Sequence, residues 1–318
     1  MLVSTVEQIR QMEIRGAGRI ARAAAGALAD HATVVQSTEL NDFVGEMEQA
    51  ANLLVATRPT AVSLPNAVHL VMAGVQTART LEEARSGIIA SASQFITSSE
   101  QAVQRIASIG ARHIRDGDVV MTHCNSEAAL ACILEAHRQG KEIEVYATEV
   151  RPRNQGLVTI RTLNDAGIRT SYIVDSAVRS FINEVDLVLV GADAISVNGA
   201  VVNKIGTAQM ALAAHEARVN LVVAAETYKF APLTILGNLI EIEERPAEEV
   251  LTASIASTLP HVRVRNPAFD VTPADYVDLI ITEEGAIPPE MAYIIIRDHL
   301  GWSIEQFDRP AHGADQKE

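Results

Sequence analysis

Two side chains stand where apolar runs end, and both belong to types that move protons. Cys124 follows DGDVVMTH and precedes SEAALACILEAHRQG, whose pattern is helical. A thiol at a helix N-terminus faces free backbone N–H groups and the positive end of the macrodipole. That setting lowers its pKa below the free value of about 8.5 and favours the thiolate. The competing reading is a small buried hydrophobe, with Asn125 serving as an N-cap. Cys132, the other cysteine, lies two turns into the same helix and reads as packing. Asp193 follows the apolar run DLVLVGA. Burial at a strand end raises a carboxyl pKa and makes the group a proton donor near neutrality. The alternative is an aspartate that holds its own turn by accepting from backbone amides.

Cations cluster in comparable places. Asn203 and Lys204 lead into IGTAQMALAAHEA, read as a helix start, where a lysine beside free N–H groups makes a phosphate site. Lys229, in AAETYKF after the next strand, follows the same logic. The chain has four lysines, Lys141, Lys204, Lys229 and Lys317, so these two are less easily dismissed as solvated surface residues. In RGAGRIAR, Arg15 and Arg19 stand one helical turn apart. Beside them, Gly16, Ala17 and Gly18 would let backbone approach an anion, or would serve a close helix–helix contact. GAG is not a dinucleotide fingerprint, because no strand precedes it and the spacing is wrong. Arg58, in TRPTAVSLPN, follows a helix and could equally cap its carbonyls. Arg151 and Arg153, in TEVRPRNQG, could bind an anion, shape the site wall or make a subunit contact, and a structural or interface role is the favoured reading. Asp175 with Ser176 reads as an N-cap, and His123 as a hydrogen-bonded strand-end histidine outside the chemistry. The residues alone thus give an anionic ligand, a thiol and an acid, without naming a reaction.

Positioning these groups is a matter of two grammars. To about residue 112 the chain reads helical: IRGAGRIARAAAGALADHA, then STELNDFVGEMEQAANLLVAT stopped by Pro59, then PNAVHLVMAGVQTART with Pro65 in its first turn. TLEEARSGIIASASQFI reads as a fourth helix, and SSEQAVQRIASIGARHI as a fifth opened by a capping box from Ser98 to Gln101. From residue 113, VVMTH, IEVYAT, TSYIVD, DLVLVGAD, NLVVAAE and YVDLIIT alternate with amphipathic stretches. Apolar runs without alternation indicate strands buried on both faces, and strands alternating with helices indicate βαβ units. The expected fold class is α/β: a helical domain over 1–112, then a Rossmann-like, doubly wound, mainly parallel sheet domain over 113–318. Ligands in such sheets bind beyond the carboxyl ends of the strands, where Cys124 and Asp193 fall.

Composition narrows the function classes. With 318 residues, 48% hydrophobic and 21% charged, the chain is an ordinary globular protein. Its net charge of −14 and the lack of a basic stripe argue against nucleic acid. No apolar run reaches the roughly 18–20 residues of a membrane helix. The N-terminus lacks a signal-peptide core, so the expectation is cytoplasmic. Two cysteines without CxxC, and scattered histidines, predict neither disulfide framework nor structural metal.

RGAGRIARAA, TRPTAVSLPNAV, MTHCNS, RPRNQG, VGADAISVNGAVVNKIGT, AAETYKF and NPAFDVTP, in this order, resemble one family. It holds the regulatory subunits of translation initiation factor 2B, methylthioribose-1-phosphate isomerase and ribose-1,5-bisphosphate isomerase. The resemblance spans nearly the whole chain; single motifs are moderately specific and their ordered set highly so. RGAGRIARAA and TRPTAVSLPNAV resemble the archaeal ribose-1,5-bisphosphate isomerase branch. The THCNS cysteine and GAD aspartate are common to both sugar-phosphate isomerases, and the factor-2B subunits generally do not keep them as a set. One departure is Val150, where the family often has threonine before RP.

The resemblance implies an aldose–ketose isomerase that converts ribose 1,5-bisphosphate to ribulose 1,5-bisphosphate, in a route from nucleoside monophosphates to RuBisCO. It implies Cys124 as base and Asp193 as proton donor. It places Arg15, Gly16, Ala17, Gly18, Arg58, Asn125, Asn203, Lys204 and Lys229 around phosphates and hydroxyls. It implies no cofactor, activation by AMP, and a homo-oligomer, commonly a hexamer built as a trimer of dimers. The alternatives it leaves are methylthioribose-1-phosphate isomerase and a factor-2B-like regulatory subunit. Since −14 overall repels a bisphosphate, local cations are expected to dominate the field in the cleft.

Overall fold

The computed structural model describes residues 2–11, 13, 14, 16–58, 61–237 and 239–302. Arg15 therefore lies outside the described residues. Five helices come first: α1 (Leu2–Arg10), α2 (Ala17–Val34), α3 (Leu40–Val55), α4 (Ser63–Met72) and α5 (Leu81–Gly110). The two helices expected over 80–114 are one. The capping box that opens α5 is Thr80 with Glu83: Glu83 N donates to Thr80 Oγ1 at 3.2 Å, and Thr80 N donates to Glu83 Oε2 at 3.3 Å. Ser98 and Gln101 lie inside the helix, and the neighbouring Ser99 is buried with its hydroxyl donating to Tyr228 Oη at 3.2 Å. A serine that has a tertiary partner does not need to end a helix.

The rest of the chain alternates. β1 (Val119–Thr122) leads to α6 (Glu127–Arg138), β2 (Glu144–Thr148) to α7 (Gly156–Asp165), and β3 (Arg169–Ile173) to the short α8 (Val178–Phe181). β4 (Leu187–Gly191) is followed by the hairpin of β5 (Ala194–Ile195) and β6 (Val201–Lys204), then by α9 (Thr207–Ala217) and β7 (Asn220–Ala224). Beyond lie α10 (Ala253–Ala256), β8 (Phe269–Thr272), β9 (Leu279–Thr282), β10 (Gly285–Ile287) and α11 (Ala292–His299).

Among the described residues, seven strands form one sheet in the order β10-β9-β7-β4-β1-β2-β3, parallel except for β10. The class is α/β, as the uninterrupted apolar runs require. Alternate residues of β4 enter different cores. Val188 and Val190 pack with α2, α4, α9 and the first half of α5, whereas Leu187 and Leu189 pack with α6 and the end of α5 around Ile106. The long helix thus contributes to both layers.

The chain order reverses between β1 and β4, which lie side by side. That is the switch point at which α/β sheets open a crevice. A second, antiparallel sheet, β5-β6-β8, was not expected from the sequence. It corrects the reading of 194–204 as a loop into a helix: Asn203 and Lys204 belong to β6, which pairs Asn203 with Asp270 and Lys204 with Phe269.

Candidate active site

Cys124 follows β1 and Asp193 follows β4, and both line one cavity of about 840 Å³ at the carboxyl edge of the sheet. Gly16, Ala17, Gly18, Arg58, Asn125, Asn203, Lys204 and Lys229 line it too. The structure therefore brings together every residue singled out for the site except Arg15, which is not described.

The local setting of Cys124 differs from the expectation. The N-cap of α6 is Ser126, whose Oγ accepts from Ala129 N at 3.3 Å; it is neither Asn125 nor the thiol. Cys124 adopts a left-handed φ of 71°, uncommon for a side chain of this kind. Its backbone is fixed by Thr159 Oγ1, which donates to Cys124 O at 2.8 Å, and its Sγ lies 3.7 Å from Gln155 Oε1. Burial pushes the thiol pKa up to about 11, against the pull of Lys204 and reinforced by Asp193. This corrects the expected depression: two residues short of the cap, the thiol gains less from the helix than it loses on leaving water.

Asp193 carries a raised pKa, caused foremost by burial and opposed by Lys229, Lys204 and Arg58. Its backbone N donates to Val202 O at 2.9 Å, which ties it to the β5–β6 ribbon. Among the described residues no backbone amide donates to its carboxyl group, so it does not act as the holder of its own turn.

Lys204 is the last residue of β6, and its Nζ donates to Ala268 O at 3.1 Å and lies 4.5 Å from the centroid of the Phe269 ring. The helix terminus thought to share its anion is already occupied. Asp270, on β8, accepts from Gly206 N at 2.7 Å and from Ala208 N at 3.1 Å, capping α9 from outside its own segment. Burial moves the Asp270 carboxyl pKa up to about 6. Asn203 is buried and donates from Nδ2 to Thr207 Oγ1 at 3.0 Å.

Lys229 also departs from the helix-start logic. It ends a short 3₁₀ turn, and its Nζ stands 2.7 Å from Glu226 Oε2. Asn66, on α4, anchors this turn by donating from Nδ2 to Tyr228 O at 2.9 Å and to Phe230 O at 2.7 Å. Arg58 reaches across to Glu243 Oε2 at 3.1 Å instead of folding back on its helix.

The surrounding loops reveal residues the sequence reading missed or misassigned. RPRNQG, expected to be a structural or interface loop, lines the cavity through Arg151, Arg153 and Gln155. Asp175, expected as an N-cap, instead accepts from Val150 N at 2.8 Å and Arg151 N at 2.7 Å and so shapes that loop. Val150 itself is buried at φ 61°, a conformation a β-branched residue keeps only when its surroundings enforce it.

Arg245 pairs with Glu243 and Glu249, and Arg153 with Glu249. Several of the cavity's cations are thus matched by carboxylates. Glu226 had a sequence signal, its i,i+3 spacing to Lys229; Gln155, Arg245 and Glu249 had none. His123 is buried, with Nδ1 2.6 Å from Thr148 Oγ1 and Nε2 2.8 Å from Ile205 O. The carbonyl can only accept, so Nε2 carries the hydrogen and the ring is a brace between β1, β2 and the turn before α9.

A model of the Initiation factor 2 subunit family matches residues 13–289. Ribose 1,5-bisphosphate isomerase of Methanocaldococcus jannaschii is 53% identical over 302 residues, covering 95% of this chain and 96% of that protein. The protein of the same name from Archaeoglobus fulgidus is 55% identical, covering 95% and 94%. The crystal structure of a Pyrococcus horikoshii translation initiation factor eIF-2B superposes with a TM-score of 0.77 at 33% identity, covering 91% of this chain and 97% of the other.

Proposed function

The chain belongs to the Initiation factor 2 subunit family, and from that premise we propose that it is an enzyme, a ribose-1,5-bisphosphate isomerase that forms ribulose 1,5-bisphosphate. The observation that carries the reading is the meeting of Cys124 and Asp193, from the ends of adjacent central strands, in one cavity with Arg58, Lys204 and Lys229.

The substrate has phosphate on its anomeric oxygen and lacks the free hydroxyl that lets a sugar ring open. Opening therefore needs an acid at the ring oxygen and a base at C2. In the proposed step the Cys124 thiolate takes the C2 proton. The C2–H electron pair becomes a C1=C2 double bond, and the C1–O bond to the ring oxygen breaks as that oxygen takes the Asp193 proton. The enol hydroxyl at C2 then returns a proton to Asp193 while the thiol gives its proton to C1. The product is the ketose, and both groups recover their starting states. Burial favours the protonated form of Asp193, as this sequence requires. It also favours the neutral thiol, so the reacting form, a thiolate beside a protonated acid, is a minor protonation state reached by loss of the thiol proton. Lys204 and Lys229 hold phosphate, with Arg58 exchanging Glu243 for the ligand. Arg15 is assigned to the same phosphates by resemblance alone.

The reading extends to a cytoplasmic homo-oligomer, a hexamer assembled as a trimer of dimers, with AMP as activator. Among the described residues no helix is long and apolar enough to cross a membrane. The second reading, a regulatory subunit of a translation factor, is favoured by the likeness to the Pyrococcus horikoshii structure. A coupled assay on ribose 1,5-bisphosphate, with methylthioribose 1-phosphate in parallel, decides among these. Turnover of the bisphosphate alone supports the proposal, and turnover of the thioether alone moves the chain to the other isomerase. Capture of initiation factor 2 with no turnover of either sugar supports the regulatory reading.

A further inference from the structure

The turn that carries Lys229 also carries a carboxylate for which the proposed reaction has no use. Glu226 and Lys229 are 3% and 9% exposed, and their charged atoms stand 2.7 Å apart. A chain of donors points at the same carboxylate. Arg22 Nη1, on α2, donates to Ser99 Oγ at 3.1 Å; Ser99, on α5, donates to Tyr228 Oη at 3.2 Å; Tyr228 donates to Glu226 Oε1 at 3.0 Å. Room for this chain is made at Gly18, where a Cβ would stand 2.8 Å from Tyr228 Oη. Every donor in the series favours an ionised acceptor at its end.

Several charged groups face the pair. Asp193, just past β4, and Glu127, at the start of α6, act on Lys229, and Asp193 is in turn acted on by Lys204 and Arg58. Glu283, between β9 and β10, accepts from Thr227 N and Oγ1. Burial works against the Lys229 cation, and Glu226 foremost, with Asp193 and Glu127, more than offsets it, leaving the lysine pKa above its ordinary value. Burial likewise works against the Glu226 carboxylate, and Lys229 reverses the sign, leaving that pKa low. A lysine buried this far without a counter-charge can lose 3–5 pKa units, roughly enough to neutralise it near pH 7.

We propose that Glu226 is a positioning residue that keeps Lys229 charged and fixed in the cavity, where a substrate phosphate would bind. The inference rests on the cavity being a sugar-bisphosphate site. On ligand entry the phosphate becomes the new partner of Lys229, and Tyr228 retains the displaced carboxylate.

The test is calorimetric titration of ribose 1,5-bisphosphate into Cys124→Ser protein, which lacks the base, between pH 7.5 and 9.5. With Glu226 present, affinity is expected to vary less than about twofold over this range. Adding Glu226→Gln keeps side-chain volume and the Tyr228 contact but removes the charge. Affinity should then fall by up to about tenfold per pH unit, because binding must now take up a proton. Glu226→Asp should restore the flat profile. Parallel profiles for Glu226→Gln and its parent would overturn the inference, since loss of local structure alone lowers affinity equally at each pH. If Glu226→Gln does not fold, the parent profile decides: a steep fall there means Lys229 is not held charged. Failure of the parent to bind the bisphosphate at any pH counts against the assigned substrate instead. The same pH series with inorganic phosphate as probe then decides the Glu226 inference by the same two criteria.

Discussion

Alkylation of Cys124 measures the free energy of its ionisation directly. With the thiol pKa near 11, the thiolate fraction at pH 8 is about one in a thousand, whereas a free cysteine of pKa about 8.5 is about one quarter ionised. Three pH units correspond to about 4 kcal/mol against the thiolate at pH 8. A more basic thiolate is also a better nucleophile, by roughly tenfold for 2.5 units at a Brønsted coefficient near 0.45. The balance predicts that iodoacetamide modifies Cys124 about twentyfold more slowly than a free cysteine at pH 8 on ionisation grounds alone. The rate should keep rising about tenfold per pH unit from 7 to 10. Cys132 does not interfere, being fully buried in the core with its thiol pushed up to about 12. The rate is read by mass spectrometry of the Cys124 peptide across the pH series. A plateau below pH 9 would refute the reasoning, because it would mean that the α6 terminus and Lys204 outweigh burial.

Cys124→Ser is expected to abolish turnover while a bisphosphate still binds, as serine is close in size and a far poorer base; full activity would remove the base assignment. Lys204→Ala should weaken bisphosphate binding by tenfold or more, about 1.4 kcal/mol or above, and equal affinity by calorimetry would place the phosphates elsewhere. Where the thiol titrates above the carboxyl, the acid-side limb of kcat/KM belongs to Asp193. Lys204 lowers the Asp193 pKa, so Lys204→Met should move that limb to higher pH, and an unmoved limb would detach Asp193 from the reaction. Gly206→Ala should cost about 1–3 kcal/mol in urea unfolding, since φ is 105° there and a Cβ would stand 2.9 Å from the His123 ring.

The parallel sheet was legible because its strands are continuous apolar runs, and a run such as LVLVG has few other uses. Its carboxyl edge was legible for the same reason, and the ends of two such runs place Cys124 and Asp193 on that edge. The antiparallel sheet was not. VVNK pairs with FDVT, more than sixty residues away, and nothing local in a four-residue strand announces a partner. The long helix was split in the reading because SSEQ has the form of a cap, and only its contact with Tyr228 explains serine in a helix interior. The sign of the Cys124 shift was missed for a quantitative reason: distance from the helix end and depth below the surface act in opposite directions, and sequence reports neither. The carboxylates that neutralise the rim come from 243–249, a stretch with no periodicity to place it.

The β5–β6 ribbon begins one residue after Asp193 and ends on Lys204. Asp193 and Lys204 are thus the two feet of a single hairpin, clasped at Asp193 N–Val202 O and by the Ala194–Val202 rung. Their spacing is set by ladder bonds that stretch little, and so is insulated from rearrangements among the N-terminal helices. Whatever those helices do when a ligand arrives, the charge relation between acid and lysine travels as one rigid part.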